Sequence, residues 1–170
     1  AISQATGFYH AYRSDNGDAP SIVATMGDST FFHAGVPALI NGVVQGARFV
    51  LVILDNSTTA MTGHQPTPGS GRMLDGTVVP QISIPELVRA CGVRYVQECD
   101  PYQFEEFSGL LQQAKNHIED PHGGIAVVIA KRPCLMDHQQ VGGWARHEIN
   151  VSEECKGCGL CTKHFECPAL

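Results

Sequence analysis

Four short runs of apolar and β-branched residues punctuate the chain, and none of them alternates strictly between apolar and polar positions. Continuously apolar strands belong in a sheet that is covered on both faces, and such sheets are usually parallel. We therefore predict four buried strands of a parallel sheet. They span residues 22–26, 49–54, 95–98 and 125–130.

Helical patterns fill the intervals between these strands. Pro85 suits the first turn of a helix that Gly92 would end, and apolar residues recur at helical spacing from Phe104 to Ile118. From Gly7 onward the chain already reads as helical. Strands alternating with helices predict an α/β domain with a doubly wound parallel sheet. Between the first two strands the helical face comprises Val36, Leu39, Ile40, Val43 and Val44.

The segment 55–80 breaks this rhythm. It holds three prolines and four glycines and shows little apolar periodicity. A loop of this length inside a compact domain is usually functional or disordered. Because it follows a buried strand directly, we expect it at the carboxyl edge of the sheet, where open α/β folds bind ligands.

The composition excludes several classes of function. The net charge is −6, and Lys and Arg are scattered, whereas a nucleic-acid surface needs a concentrated basic face. No apolar run approaches the ~20 residues of a membrane helix, and no signal-peptide pattern opens the chain. We expect a protein that binds neither nucleic acid nor membrane. Its 170 residues, 43% of them apolar, suffice for one compact domain with a small appendage.

The seven cysteines are unevenly placed, with four of them in the last sixteen residues. Disulfide frameworks spread their cysteines through a small secreted fold, so this clustering favours a metal site in a reducing compartment. We therefore expect a cytoplasmic protein. We divide the chain into an α/β domain at 1–130, a linker at 131–150 and a cluster-binding unit at 151–170.

The tail has the spacing Cys155-x2-Cys158-x2-Cys161-x5-Cys167-Pro168, which is typical of ferredoxins apart from its longer final gap. Structural zinc sites usually divide into two separated pairs of cysteines, so three evenly stepped cysteines favour iron–sulfur over zinc. In two-cluster ferredoxins the cysteine before proline serves the other cluster. Either Cys167 serves a second cluster, or all four cysteines hold a single 4Fe–4S cluster.

Two predicted strands end in polar loops, GDST at 27–30 and DNST at 55–58. Neighbouring strand ends can converge on one ion, and Mg²⁺ prefers oxygen ligands and commonly bridges phosphates. The Asp28 carboxylate, the Asn56 amide and a backbone carbonyl near Thr58 could supply three ligands. An Asp at a strand end is also commonly a helix cap, so the GDS sequence alone is weak support. The pairing of the two loops strengthens the prediction.

The same loops could hold a diphosphate. Gly27 lets the backbone approach the phosphates, and Ser29 and Thr30 offer hydroxyl and N–H donors near a helix start. The arrangement resembles the thiamine diphosphate signature, Gly-Asp-x followed further along by Asn. The segments GDSTFFHAGVPALINGV and LDNSTTAMTGHQPTPG are similar to the large subunit of the indolepyruvate:ferredoxin oxidoreductases. This resemblance extends over nearly the whole chain, through KRPC to the cysteine tail.

The resemblance implies a thiamine diphosphate-binding fold, in which Asp28, Asn56 and the Thr58 carbonyl hold Mg²⁺. It also implies that the loop 59–65 packs along the thiazolium and diphosphate. Related pyruvate oxidoreductases tend to carry Asn at the position of Met61, which fits the indolepyruvate branch. The implied cofactor-binding residues are Gly27, Asp28, Ser29, Thr30, Asn56, Thr58, Thr59, Met61, Thr62, Gly63, His64 and Gln65.

His33 and His64 are the candidate catalytic residues, because an imidazole titrates near neutral pH. Each could instead be a hydrogen-bonded loop histidine. The other histidines carry no spacing signal and are expected at the surface: His10, His117, His122, His138, His147 and His164. Cys91 is expected in the core, and nothing indicates a reactive thiol at Cys99 or Cys134.

The leading hypothesis is CoA-dependent oxidative decarboxylation of an aryl pyruvate to an acyl-CoA and CO₂. Electrons would pass through iron–sulfur clusters to ferredoxin. The alternatives are another 2-oxoacid oxidoreductase of the superfamily, a non-oxidative thiamine decarboxylase, and an electron-transfer module without thiamine chemistry. Activation of the cofactor needs a pyrimidine-binding domain, which these residues lack. We expect a fragment or processed product that is inactive alone and works in an oligomer with a second oxidoreductase subunit.

Overall fold

The computed structural model describes residues 1–136 and 150–164 and confirms the α/β class. Within those residues four strands form one sheet, in the order β1-β2-β4-β3, and every neighbouring pair is parallel. Each strand begins within one residue of its predicted start. The strands are β1 Val23–Gly27, β2 Val50–Asp55, β3 Tyr95–Cys99 and β4 Ala126–Lys131.

Helices cover both faces of the sheet. They are α1 Ile2–Asn16, α2 Asp28–Thr30, α3 Val36–Val44, α4 Ile84–Ala90, α5 Phe104–Glu119 and α6 Leu160–Lys163. A π-helical turn, Phe31–Gly35, joins α2 to α3 and was not predicted. The Ser83 side chain accepts a hydrogen bond from the Glu86 N–H at the start of α4. Gly92, at φ 94°, follows the end of α4 as predicted.

Alternation along the strands sends side chains to two separate cores. Leu51 and Ile53 of β2 and their β4 partners point to the face covered by α1, α3 and α4. Val50 and Val52 point to the other face, under α5. Burial on both faces explains why the strands read as continuous apolar runs. Helix α5 does not cover the part of this face nearest β1, where Val23 and Leu54 are exposed.

The segment after β2 is a loop with little regular structure, as predicted. It contains a short 3₁₀ turn, Ala60–Thr62, and two isolated antiparallel bridges, Thr59 with Gln65 and Arg72 with Val78. Several of its apolar side chains are exposed, including Met61 and Leu74. The loop therefore contributes surface rather than core.

No helix in the described part of the chain is long and apolar enough to cross a bilayer.

Candidate functional site

The carboxyl ends of β1 and β2 lie side by side, with Gly27 in register with Leu54. The two loops that follow β1 and β2 therefore begin at the same edge of the sheet. Asp28 opens α2, and Asp55 ends β2 just before Asn56. The predicted convergence of the two strand ends is present.

Asp28 is a buried carboxyl without full hydrogen bonding. Its side chain is 3% exposed, and its Oδ2 has no hydrogen-bond partner among the described residues. The pKa of Asp28 is raised from 3.8 to about 6, chiefly by burial and to a smaller extent by the charge of the nearby Asp55 carboxyl. The Ser29 N–H acts in the opposite direction and lowers this pKa. A cation here would supply the charge that the buried carboxylate lacks.

The loop after β2 is organised around its own side chains. The Asp55 Oδ1 accepts the Ser57 N–H at 3.0 Å, and the Asn56 Oδ1 accepts the Thr58 N–H at 3.2 Å. Ser57 takes a positive φ of 61°, which lets the chain turn back over the strand end. An amide oxygen has two lone pairs, so Asn56 retains one for a metal.

Hydrogen bonds join the two loops into one site. Thr58 is buried, and its Oγ1 donates to the Gln65 carbonyl at 3.3 Å. The Thr59 N–H donates to the same carbonyl at 2.9 Å. The Thr59 Oγ1 reaches across to the Ser29 Oγ at 3.0 Å, so the first loop is tied directly to the second.

These residues fit a magnesium diphosphate. A buried, partner-poor carboxylate, an amide oxygen and a loop carbonyl are hard ligands of the kind Mg²⁺ prefers. Backbone N–H groups and hydroxyls at the start of α2 suit an anion. Asp28 and Asn56 would fill only part of the octahedral shell of a Mg²⁺ ion, and phosphate oxygens could occupy the remaining positions.

The segment 59–65 folds into a narrow turn closed by the Thr59–Gln65 bridge. The Thr62 side chain and carbonyl both contact the Gln65 amide. Met61 is fully exposed at the tip, and Gly63 has a φ of 119°. His64 also adopts a positive φ, 61°, which is unusual for a residue with a side chain.

The two candidate histidines differ in position. His33 lies on the exposed side of the π-helical turn that follows α2. The His64 Nε2 lies 3.9 Å from the Cys134 Sγ. Cys134 was not expected to take part in the site. The sequence position of Cys134 could have indicated this, because Cys134 follows β4, a third strand that ends at the same edge of the sheet.

Two histidines expected at the surface are half-buried instead. His10 and His117 each have a buried Nε2 without a hydrogen-bond partner among the described residues. His117 packs against the Tyr95 ring, with centroids 5.3 Å apart. The helix periodicity gave no sign of this, because both residues lie at the edges of their apolar faces. His122 and His164 are exposed, and His138 and His147 lie outside the described residues.

The cysteine tail forms no assembled site in the part of the chain that the structure describes. Cys155, Cys158 and Cys161 are all exposed with free thiols. No three His, Cys, Asp or Glu side chains within residues 1–136 and 150–164 group closely enough to hold a metal ion. Cys167 lies outside the described residues. Gly157 and Gly159 both have positive φ, a backbone conformation that glycine adopts readily in tight turns.

Comparison with known sequences assigns this arrangement to a class. Residues 1–130 match the sequence family described as the C-terminal thiamine pyrophosphate-binding domain of thiamine pyrophosphate enzymes. The chain belongs to this family. The matched segment includes both polar loops and all four strands up to Ala130.

Among curated proteins, the chain is 45% identical over 157 residues to indolepyruvate oxidoreductase subunit IorA of Archaeoglobus fulgidus. It is 38% identical over 154 residues to the protein of the same name from Pyrococcus horikoshii. Each comparison covers 88% of this chain but only 23% of the relative. The chain thus spans about a quarter of the length of these relatives.

Solved structures show the same fold at low sequence identity. A 2-oxoglutarate:ferredoxin oxidoreductase from Magnetococcus marinus superposes with a TM-score of 0.62 at 18% identity, covering 78% of this chain and 46% of that one. Benzoylformate decarboxylase from Polynucleobacter necessarius gives 0.54 at 17% identity, covering 78% and 24%. At these identities the likeness supports the fold alone.

Proposed function

We propose that this chain is the magnesium and thiamine diphosphate-binding part of a 2-oxoacid:ferredoxin oxidoreductase. The observation that carries the proposal is the buried Asp28 carboxyl with an unpartnered oxygen, set beside Asn56 at adjoining strand ends. The substrate class is an aryl pyruvate, supported by the 45% identity to a relative named indolepyruvate oxidoreductase subunit IorA. The products are an acyl-CoA and CO₂.

The chain's own residues bind and orient the cofactor. Asp28, Asn56 and the Thr58 carbonyl hold Mg²⁺, and Ser29 and Thr30 donate hydrogen bonds to the diphosphate. The loop 59–65 lies along the thiazolium. When bound, thiamine diphosphate supplies the carbanion chemistry and the electron sink for decarboxylation. Burial of Asp28 keeps water from competing for the metal.

Electrons leave through the cysteine tail in this proposal. Cys155, Cys158 and Cys161 hold a 4Fe–4S cluster, with Cys167 on the same cluster or on a second one. The positive φ of Gly157 and of Gly159 supports a backbone that can wrap a cluster.

The remaining parts come from outside these residues. A pyrimidine-binding domain, in the same longer chain or in a partner, activates the cofactor. A second oxidoreductase subunit completes the enzyme, CoA accepts the acyl group, and ferredoxin accepts the electrons in the cytoplasm. In this scheme 1–130 is the cofactor domain, 131–150 a linker and 151–170 the iron–sulfur segment.

The test is an anaerobic assay of the full-length chain with its partner subunit. We expect reduction of ferredoxin or a viologen dye that requires both CoA and an aryl pyruvate, such as indolepyruvate. Asp28→Asn should abolish it, whereas Asp15→Asn, on the exposed side of α1, should leave it unchanged. Release of CO₂ without CoA-dependent dye reduction would instead indicate a non-oxidative decarboxylase. Full activity in Asp28→Asn would refute the proposal.

A further inference from the structure

The chain beyond β4 continues alongside the metal-binding loop. The Arg132 N–H donates to the Asp55 carbonyl at 2.9 Å, and the Cys134 N–H donates to the Asn56 carbonyl at 3.2 Å. These two bonds place Cys134 at the edge of the site. From there its Sγ lies 3.9 Å from the Nε2 of His64, which sits on the facing turn.

The backbone of His64 is held in a conformation that disfavours side chains. Its φ of 61° is in the left-handed region, which favours glycine and which, among residues with side chains, Asn, Asp and His adopt most often. Its N–H donates to the Thr59 carbonyl at 3.1 Å, and the Thr59–Gln65 bridge closes the turn around it. The closed turn fixes the direction in which the His64 side chain leaves the backbone.

We propose that Cys134 is a positioning residue for His64. The thiol contact and the closed turn together hold the imidazole at the edge of the site, and this inference rests on the proposed function. Contact through Nε2 leaves Nδ1 as the nitrogen available to hold or move a proton. His64 is otherwise exposed, so the thiol restricts a ring that would be free to rotate.

Substitution of Cys134 tests the thiol separately from the fold. The hydrogen bond to the Asn56 carbonyl uses the backbone N–H, so it persists in any variant at this position except proline. A change in cofactor affinity would therefore indicate a structural role. A change confined to turnover would indicate positioning of His64.

The experiment uses the full-length chain with its partner subunit, loaded with thiamine diphosphate, Mg²⁺ and clusters. The variants are His64→Gly, Cys134→Ala, Cys134→Ser and the His64→Gly/Cys134→Ala double variant. We expect His64→Gly to lower kcat about 100-fold, as for loss of a proton-transferring group. Cys134→Ala should lower kcat roughly fivefold, within the usual range for coupled neighbours. Neither should change the KM for the 2-oxoacid or the affinity for cofactor.

Three further results separate positioning from a passive contact. Cys134→Ser should recover most of the lost kcat, because a hydroxyl can keep the contact with Nε2. The double variant should be no slower than His64→Gly alone. Cys91→Ala, a half-buried thiol on the far side of the sheet from this edge, serves as the control and should leave kcat unchanged.

Several outcomes would overturn the inference. These are unchanged kcat in Cys134→Ala, additive losses in the double variant, or a loss that appears in cofactor affinity. If Cys134→Ala fails to fold, Cys134 of the wild-type enzyme is instead labelled with stoichiometric N-ethylmaleimide. Mass spectrometry then maps the labelled position. Labelling should then lower kcat in wild type but not in His64→Gly, and equal loss in both would contradict positioning. Inactivity of the wild-type enzyme would instead count against the proposed function.

Discussion

The cofactor site and the cysteine tail differ in how far their candidate ligands are buried. At the ends of β1 and β2, Asp28, Asn56 and Thr58 are buried or half-buried, and the two loops are joined by a hydrogen bond from Thr59 to Ser29 at 3.0 Å. In the tail, Cys155, Cys158 and Cys161 are exposed, and the only helix among the described tail residues is the four-residue α6.

The difference follows from what holds each region. A parallel sheet places its strand ends whether or not a ligand is bound, so the core beneath them brings the Asp28 and Asn56 loops together. The described part of the tail, residues 150–164, buries no side chain. In the proposed function the metal supplies the structure of the tail, because its binding free energy then serves as folding free energy.

Replacement of one thiolate should abolish the tail's function and spare the cofactor site. For Cys158→Ser we expect loss of the iron–sulfur absorbance and of nearly all dye reduction, because each iron needs its thiolate. Thiamine diphosphate affinity should match wild type, since the two sites are built independently. Iron analysis with a cofactor titration measures both. Loss of cofactor binding in this variant would show that the two regions depend on each other.

Asp28 should make the metal-free protein less stable as the pH rises. The folded pKa is about 6 and the ordinary value 3.8, so the folded state binds the proton more tightly than the unfolded chain. The contribution of Asp28 to stability is therefore greatest below pH 4 and falls by about 3 kcal/mol as the pH rises past 6. Urea unfolding of the 170-residue chain, for wild type and Asp28→Asn, measures it.

In Asp28→Asn this component of the pH dependence should disappear. The same residue should make Mg²⁺ binding weaker below pH 6, because protons then compete with the metal. Identical pH profiles for the two proteins would mean that Asp28 ionises as freely as in solution.

Thr59→Val should loosen the connection between the two loops. The hydroxyl that reaches Ser29 is lost while the side-chain shape is kept, which removes about 1 kcal/mol of interaction. We expect roughly fivefold weaker thiamine diphosphate binding, measured by calorimetry. Thr77→Val, at an exposed position of the same long segment, is the matched control. Equal effects of the two substitutions would argue against a specific role for this bond.

His64→Gly should stabilise the chain slightly although it impairs turnover. Relief of the left-handed strain outweighs the extra flexibility of glycine in the unfolded chain, for a net gain of about 0.5–1 kcal/mol. Thermal unfolding should show a higher Tm than wild type. A lower Tm would mean that the imidazole contributes to the fold itself.

The sequence predicts the sheet and the convergence of its two polar loops for a physical reason. Continuous apolar runs mark buried strands, and a polar residue directly after such a run must lie at the carboxyl edge, which is where Asp28 and Asn56 are found. The Cys134 contact depends on how the chain leaves β4 and on the backbone of His64. Neither leaves a periodic signal, so only the structure brings these two residues together.

The burial of His10 and His117 was missed for a related reason. A histidine at the margin of an apolar helix face can turn inward or outward, and the outcome depends on neighbours such as Tyr95. The ring stacking that keeps His117 inward pairs residues twenty-two positions apart. Sequence periodicity within one helix cannot report such a contact.

The central claim is that Asp28, buried at the junction of two strand ends, is the metal ligand that holds thiamine diphosphate. A calorimetric titration of the full-length chain with thiamine diphosphate in the presence of Mg²⁺ tests it most directly. We predict tight binding for wild type and for Asp15→Asn, and at least a 100-fold weaker affinity for Asp28→Asn, as expected when a charged ligand of the metal is lost. Equal affinities for Asp28→Asn and wild type would contradict the account.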